Sequence, residues 1–252
     1  MAERALACEP YPPPLDISML LLYTLTVVEC YEELQQPCED LLLIARRRGA
    51  MQETIGILVL RASASCDVGA LADAEADARW ALERADGARW IQAAVELIRV
   101  LIERDELKLA EDVLEQCPDQ HDTNATEMVR FLSARGRLRG AQGRLQEALE
   151  DFLECGNRSK RLGGGTLSAA PWRAEAALAY AALGDTAEAR LLAGEHLKLA
   201  RAFGRSVSPC EHKVWSRAGR LGLSCWQRRS RRWSARGHRL SSPARCPTTE
   251  RR

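Results

Sequence analysis

At 252 residues with 46% hydrophobic content, the chain is long enough for a sizeable core, and its 5% aromatic share favours helices that pack through small residues. The net charge of +1 conceals a division: residues 206–252 hold 12 of the 36 Lys+Arg but 2 of the 35 Asp+Glu, a surplus of ten positive charges, whereas 1–205, with 24 against 33, carry nine negative ones. Met1 to Tyr11 has no basic stretch feeding an apolar run, so no secretory leader is expected, and nine cysteines without a C-x-x-C read as reduced packing residues of a cytoplasmic protein.

Residues 1–14 read as an irregular start to a helical domain spanning 15–205. The run Leu15 to Val28 is apolar but contains Asp16, Ser18, Thr24 and Thr26, and it is too short to cross a bilayer; a buried helix is expected. Pro37 would cost about 3 kcal/mol inside a helix, which places it in a first turn.

A weak repeat follows. A turn residue leads through a spaced Leu or Thr to an Ala: Gly69 to Leu71 and Ala74, Asp105 to Leu107 and Ala110, Gly143 to Leu145 and Ala148, Gly184 to Thr186 and Ala189. The anchors are 36, 38 and 41 residues apart, and a fainter copy lies at Glu32, Leu34 and Pro37. Each anchor separates two segments of helical period. Before Gly143, Met128, Phe131, Leu132, Gly136 and Leu138 share a face; after it, Leu145, Ala148, Leu149, Phe152 and Leu153 do. Asn124-Ala-Thr-Glu127 and Asp185-Thr-Ala-Glu188 have the spacing of capping boxes. Gly49, Gly87, Gly163 and Gly204 follow helical runs and are expected to close them in the left-handed conformation, and Pro171 suits a first turn.

One helix pair cannot bury its apolar stripe alone, whereas stacked pairs share a core. The expected fold is therefore all-α, a tetratricopeptide-like solenoid of five pairs at roughly 15–48, 51–86, 88–117, 124–162 and 171–203. The last helix, 190–204, would show an apolar face (Leu191, Leu192, Leu197, Leu199) that calls for a further repeat or cap; left uncovered, it would invite self-association.

The strings GALADAEADARWALE (69–83), ARGRLRGAQGRLQEALEDFLECG (134–156), PWRAEAALAYAALGDTAEAR (171–190) and LKLARAFGR (197–205) resemble the helical region of large ATP-binding LuxR-type transcriptional regulators of bacteria, the class related to the maltose regulator. That family places an ATPase domain first, a tetratricopeptide-like sensor next and a DNA-binding helix-turn-helix last. The resemblance covers about residues 15–205. There is no G-x-x-x-x-G-K-[ST] loop, because Gly163-Gly-Gly165-Thr166 lacks the Lys and falls between helices, and no segment reads as a recognition helix. What the resemblance implies is thus the sensor and protein-interaction part of such a regulator, a fragment without its own ATPase or DNA-binding domain, taking a protein partner or a small inducer.

Three readings stand for residues 206–252, of which the plainest is an inert solvated tail. The run Arg228-Arg229-Ser230-Arg231-Arg232-Trp233 could neutralise phosphates and stack on bases, which would make the chain a free-standing adaptor whose tail binds nucleic acid. Yet the segment holds three of the six Trp and three of the nine Cys, unlike a disordered arm. A shifted reading frame from about Arg205 accounts for this better, since GC-rich codons read one register over permit an acidic, Ala- and Leu-rich continuation.

Catalytic and metal chemistry find no footing in the sequence. His121, His196, His212 and His238 are scattered, no Gly-x-Ser-x-Gly elbow occurs, and carboxylates such as Glu147, Glu150 and Asp151 read as a solvated helical face. No enzyme, cofactor, metal or membrane span is expected. The remaining candidate is the face lined by the first helix of each pair. Counting from the anchors places Gln92, Arg99, Arg130, Ser133 and Arg137 there, three arginines that suit an acidic peptide or small anion.

Overall fold

A computed structural model describes residues 15–27, 31–117, 125–162 and 171–202. Among them the chain is all-α, without a strand. The helices are α1 (Leu15–Val27), α2 (Tyr31–Arg48), α3 (Met51–Val68), α4 (Leu71–Leu82), α5 (Gly87–Glu103), α6 (Leu107–Glu115), α7 (Ala125–Ala141), α8 (Leu145–Arg161), α9 (Trp172–Leu183) and α10 (Thr186–Ala202). No helix among the described residues is long and apolar enough to cross a membrane.

One turn recurs. Gly69 (φ 87°), Asp105 (66°), Gly143 (83°) and Gly184 (94°) are left-handed and lie between the helices of four successive pairs, and Gly49 (64°) joins α2 to α3 the same way. In each, the N–H of the left-handed residue bonds to the carbonyl three residues back at 3.1–3.2 Å, and the next N–H to the carbonyl five back at 2.8–2.9 Å. These two hydrogen bonds satisfy carbonyls that a helix end would otherwise leave orphaned. The fifth residue beyond each anchor is buried: Ala74, Ala110 and Ala148 fully, Ala189 nearly so. A methyl group there lets the second helix of the pair lie close against the first.

Every substantial helix–helix interface joins helices one or two places apart in the chain. Sequential neighbours pack on one another, and α1, α3, α5, α7 and α9 also meet in a row, whereas the even-numbered helices form no such row among the described residues. The core is correspondingly serial. Leu22, Leu34, Ile55 and Ile57 centre one cluster at the α1–α3 end, Leu97, Ile98, Leu101 and Leu138 a second, and Met128, Phe152 and Trp172 a third at α7–α9. Fully burying such side chains stabilises by about 1.5–3 kcal/mol each. Two glycines set close approaches: a Cβ on Gly136 would lie 2.6 Å from Phe152 Cε1, and one on Gly156 2.6 Å from Trp172 Cδ2.

Several local expectations are corrected. Pro37 lies inside α2, not in its first turn; burial of Leu34, Cys38, Leu41, Leu42 and Ala45 along that helix offsets the lost hydrogen bond. Gly87 opens α5 after the N-cap residue Asp86 instead of closing α4. Pro171 stands one place earlier than expected, at the N-cap of α9, where its carbonyl accepts from Ala174 and Glu175 N–H. Helix α1 is buried on one face only: Leu22 and Leu25 are inside, Leu20 and Tyr23 exposed. Asp151 is no solvated charge but is 3% exposed, held by Arg135 Nη2 at 2.7 Å and Arg139 Nη1 at 2.8 Å. On α10, Leu191 is exposed as expected, but Leu192 is buried in the α7–α9 cluster. The Asp185 cap forms, its Oδ1 accepting from Glu188 N–H at 3.2 Å. Asn124, Gly163, Gly204, His121, His212, His238 and the basic segment 206–252 lie outside the described residues.

Candidate binding groove

The odd-numbered helices build the site. A groove of about 180 Å³ is lined by Tyr23 and Thr26 of α1, by Val59, Leu60, Ser63 and Asp67 of α3, by Val95, Glu96, Arg99 and Ile102 of α5, and by Arg130, Ser133, Ala134 and Arg137 of α7, with Tyr31 and Pro171 at its margins. The repeat register explains this list. Six residues before the anchors stand Ser63, Arg99 and Arg137; nine before, Leu60, Glu96 and Ala134; ten before, Val59, Val95 and Ser133. All nine line the groove. Positions six, nine, ten and thirteen residues before the turn share one helical face, so stacking the first helices places the same columns side by side.

Four of the five expected residues, Arg99, Arg130, Ser133 and Arg137, come together here. Gln92 does not line the groove. It occupies the same column as Arg130 but accepts from Arg89 Nη1 at 2.9 Å and donates to Glu127 Oε1 at 2.8 Å. The preceding member of that column is Gly56, and a Cβ there would meet Met19 Cε at 2.8 Å and Arg89 Nη1 at 3.2 Å. The missing side chain admits Met19 and Arg89, which fill that end.

The three arginines are not equivalent. Arg99 spans α3 and α5: it lies 3.4 Å from Asp67 Oδ2 and 3.3 Å from Glu96 Oε2, and its Nη2 donates to the Ser63 carbonyl. Burial works against its charge, but Glu96 and Asp67 outweigh burial and hold the guanidinium above its ordinary range. Arg137 spans α7 and α9, with Nη2 2.9 Å from Glu175 Oε1. Arg130 is half-buried, and among the described residues no carboxylate lies at ion-pair distance from it. Among the described residues the buried Nε atoms of Arg130 and Arg137 have no hydrogen-bond acceptor, whereas Arg99 Nε faces Glu96 Oε2 in its ion pair. A buried donor without a partner costs about 1–3 kcal/mol, which an acceptor arriving from outside would relieve.

Tyr23, Thr26, Tyr31, Ser63, Asp67 and Glu96 are among the groove residues that counting from the later anchors missed. The column six before the anchor, extended one repeat back, would have found Ser63, and the column nine before would have found Glu96. No equivalent signal marks Tyr23, Thr26 and Tyr31, because the first pair has no clear anchor.

Nucleophile and metal chemistry gain no support from the described residues. Burial pushes the Cys38 and Cys155 thiols up to about 12, and it raises Cys66 and Cys117 as well. No three His, Cys, Asp or Glu among the described residues are grouped to hold a metal ion. His196 is 2% exposed within α10. Comparison of the chain with protein-family models and with curated proteins gives no match.

Proposed function

We propose that this chain is a binding module: a cytoplasmic tetratricopeptide-like array that acts as the sensor and protein-interaction region of a LuxR-type transcriptional regulator, receiving a small inducer or a short acidic segment in the groove of its odd-numbered helices. One observation carries the reading. Residues from α1, α3, α5 and α7, separated by more than 100 positions in sequence, converge on one groove of mixed polar and apolar lining that contains Arg130, which has no counter-charge among the described residues. The resemblance of the strings at 69–83, 134–156, 171–190 and 197–205 to the sensor region of that family points the same way.

A groove contributed by successive repeats is a natural transducer. A ligand that contacts four helices binds best in one arrangement of the row and shifts the population toward it. Links such as Arg99 to Asp67 and Arg137 to Glu175 tie neighbouring repeats together and would transmit that shift.

The test is a thermal-shift screen of neutral, cationic and anionic small molecules and short peptides, with hydrogen exchange on every hit. The expected result is added protection of amides in α3, α5 and α7. Hits that protect only the even-numbered helices, or a screen without hits, would sink the proposal.

A further inference from the structure

Resting on the reading of the groove as a binding site, we infer that it takes a small monocarboxylate, received by Arg130 together with the hydroxyl of Ser133.

The charge arrangement carries this. Arg99 is committed to Asp67 and Glu96, and Arg137 to Glu175. Among the described residues Arg130 has no ion pair and its buried Nε has no acceptor. Ser133 lies three residues on, one turn along the same face of α7, and lines the same groove. A guanidinium and a hydroxyl at that spacing can both donate to a carboxylate. Glu127 lies three residues before Arg130, and its Oε1 accepts from Gln92 on α5.

Two further features narrow the class. Asp67 and Glu96 also line the groove and share the one guanidinium of Arg99, so a dianion such as phosphate meets a surplus carboxylate charge beside Arg130. The groove's 180 Å³ is below the roughly 300–1,000 Å³ of common ligand sites, which favours a compact molecule. Its other walls are mixed: Tyr23, Tyr31 and Thr26 at the α1–α2 end, and Val59, Leu60, Val95 and Ile102 from α3 and α5. These suit a short apolar or aromatic body behind the carboxylate.

The experiment titrates the full chain with 4-hydroxyphenylacetate, with its neutral amide and with inorganic phosphate at constant ionic strength, by ligand-observed NMR. The acid is expected to bind at least tenfold more tightly than the amide, and phosphate no better than the amide. Arg130→Gln should abolish the preference for the acid, and Arg130→Lys should retain part of it. Arg84→Ala should leave it intact, because Arg84 bonds to the adjacent Glu83 and to the Trp80 carbonyl at the end of α4, away from the groove lining. Arg130 makes no ion pair among the described residues, so its variants should keep the unfolding temperature of the parent, which is measured alongside. Equal binding of acid and amide, a preference that survives Arg130→Gln, or no binding of either up to about 10 mM would each overturn the inference. The groove reading is judged separately, by whether neutral or cationic hits of the screen protect the odd-numbered helices.

Discussion

The pairs α3/α4 and α7/α8 solve one packing problem differently from α5/α6 and α9/α10. Eight residues on either side of the left-handed anchor, the first two pairs carry Arg61 with Asp77 and Arg135 with Asp151, and the other two carry Leu97 with Val113 and Ala176 with Leu192. Both aspartates are buried, at 8% and 3% exposure, as are all four aliphatic residues. Arg61 reaches Asp77 through two hydrogen bonds of 2.7 Å, and Asp151 receives both Arg135 and Arg139. The same backbone register thus holds either an ion pair or hydrocarbon. What is common to all four is the turn and the buried Ala five residues beyond it. The contact at plus and minus eight must fill space and leave no charge alone; its chemistry is free. A buried ion pair adds little net stability over hydrocarbon but is costly to break from one side.

Breaking that pair from one side gives the largest expected effect. Asp151→Ala strands two arginines and should cost about 3–5 kcal/mol in denaturant unfolding, at or above Leu97→Ala in a hydrocarbon pair, for which about 2–5 kcal/mol is expected. A cost under about 1 kcal/mol for Asp151→Ala would mean that the pair is solvated and the comparison empty. Next comes the approach of α7 to α8: Gly136→Ala sets a methyl 2.6 Å from the Phe152 ring and should cost about 1–3 kcal/mol. Gly69→Ala probes the shared turn alone. Nothing lies within 4 Å of its Cβ position, so only the left-handed backbone resists, and about 1–2 kcal/mol is expected.

Alkaline unfolding gives a smaller effect. The thiols of Cys38 and Cys155 rise from 9.0 to about 12 on burial, so the unfolded chain loses these protons first. Their contribution is complete below pH 9 and is lost as pH rises toward 12; at pH 10 roughly 1 kcal/mol per thiol should be gone. Cys155→Ala should reduce that pH slope, and a slope unchanged by it would show that the thiol ionises in place. The smallest change is expected from exchanging one solution for the other. Arg61→Leu with Asp77→Val copies the residues of α5/α6 into α3/α4 and should alter stability by less than about 1.5 kcal/mol. A much larger loss would show that the ion pair has a role beyond packing.

Much of the architecture was legible in the residues. Gly69, Asp105, Gly143 and Gly184 with their following alanines marked the turns, because a left-handed residue and a methyl-sized contact are local requirements that leave a local trace. The apolar period around Gly143 located α7 and α8 for the same reason. Pro37 misled because the energy that tolerates it comes from the burial of Leu34 and Cys38 elsewhere in the core, not from its own position. Asp151 misled because its partners, Arg135 and Arg139, lie across a turn on another helix.

The sequence by itself therefore determined the helical class and the turns between paired helices, since these follow from a period and a turn repeated along the chain. Only the tertiary structure decided the state of each side chain in the columns that face the groove. Arg99, Arg130 and Arg137 are the same residue at matching faces, yet two are neutralised by Asp67, Glu96 and Glu175, and Arg130 has no such partner among the described residues. Gln92 shares the column of Arg130 but is drawn off by Arg89 and Glu127 where Gly56 opens space. Pairing, burial and filled volume depend on which neighbour arrives from another repeat, and that is settled only when the helices are stacked.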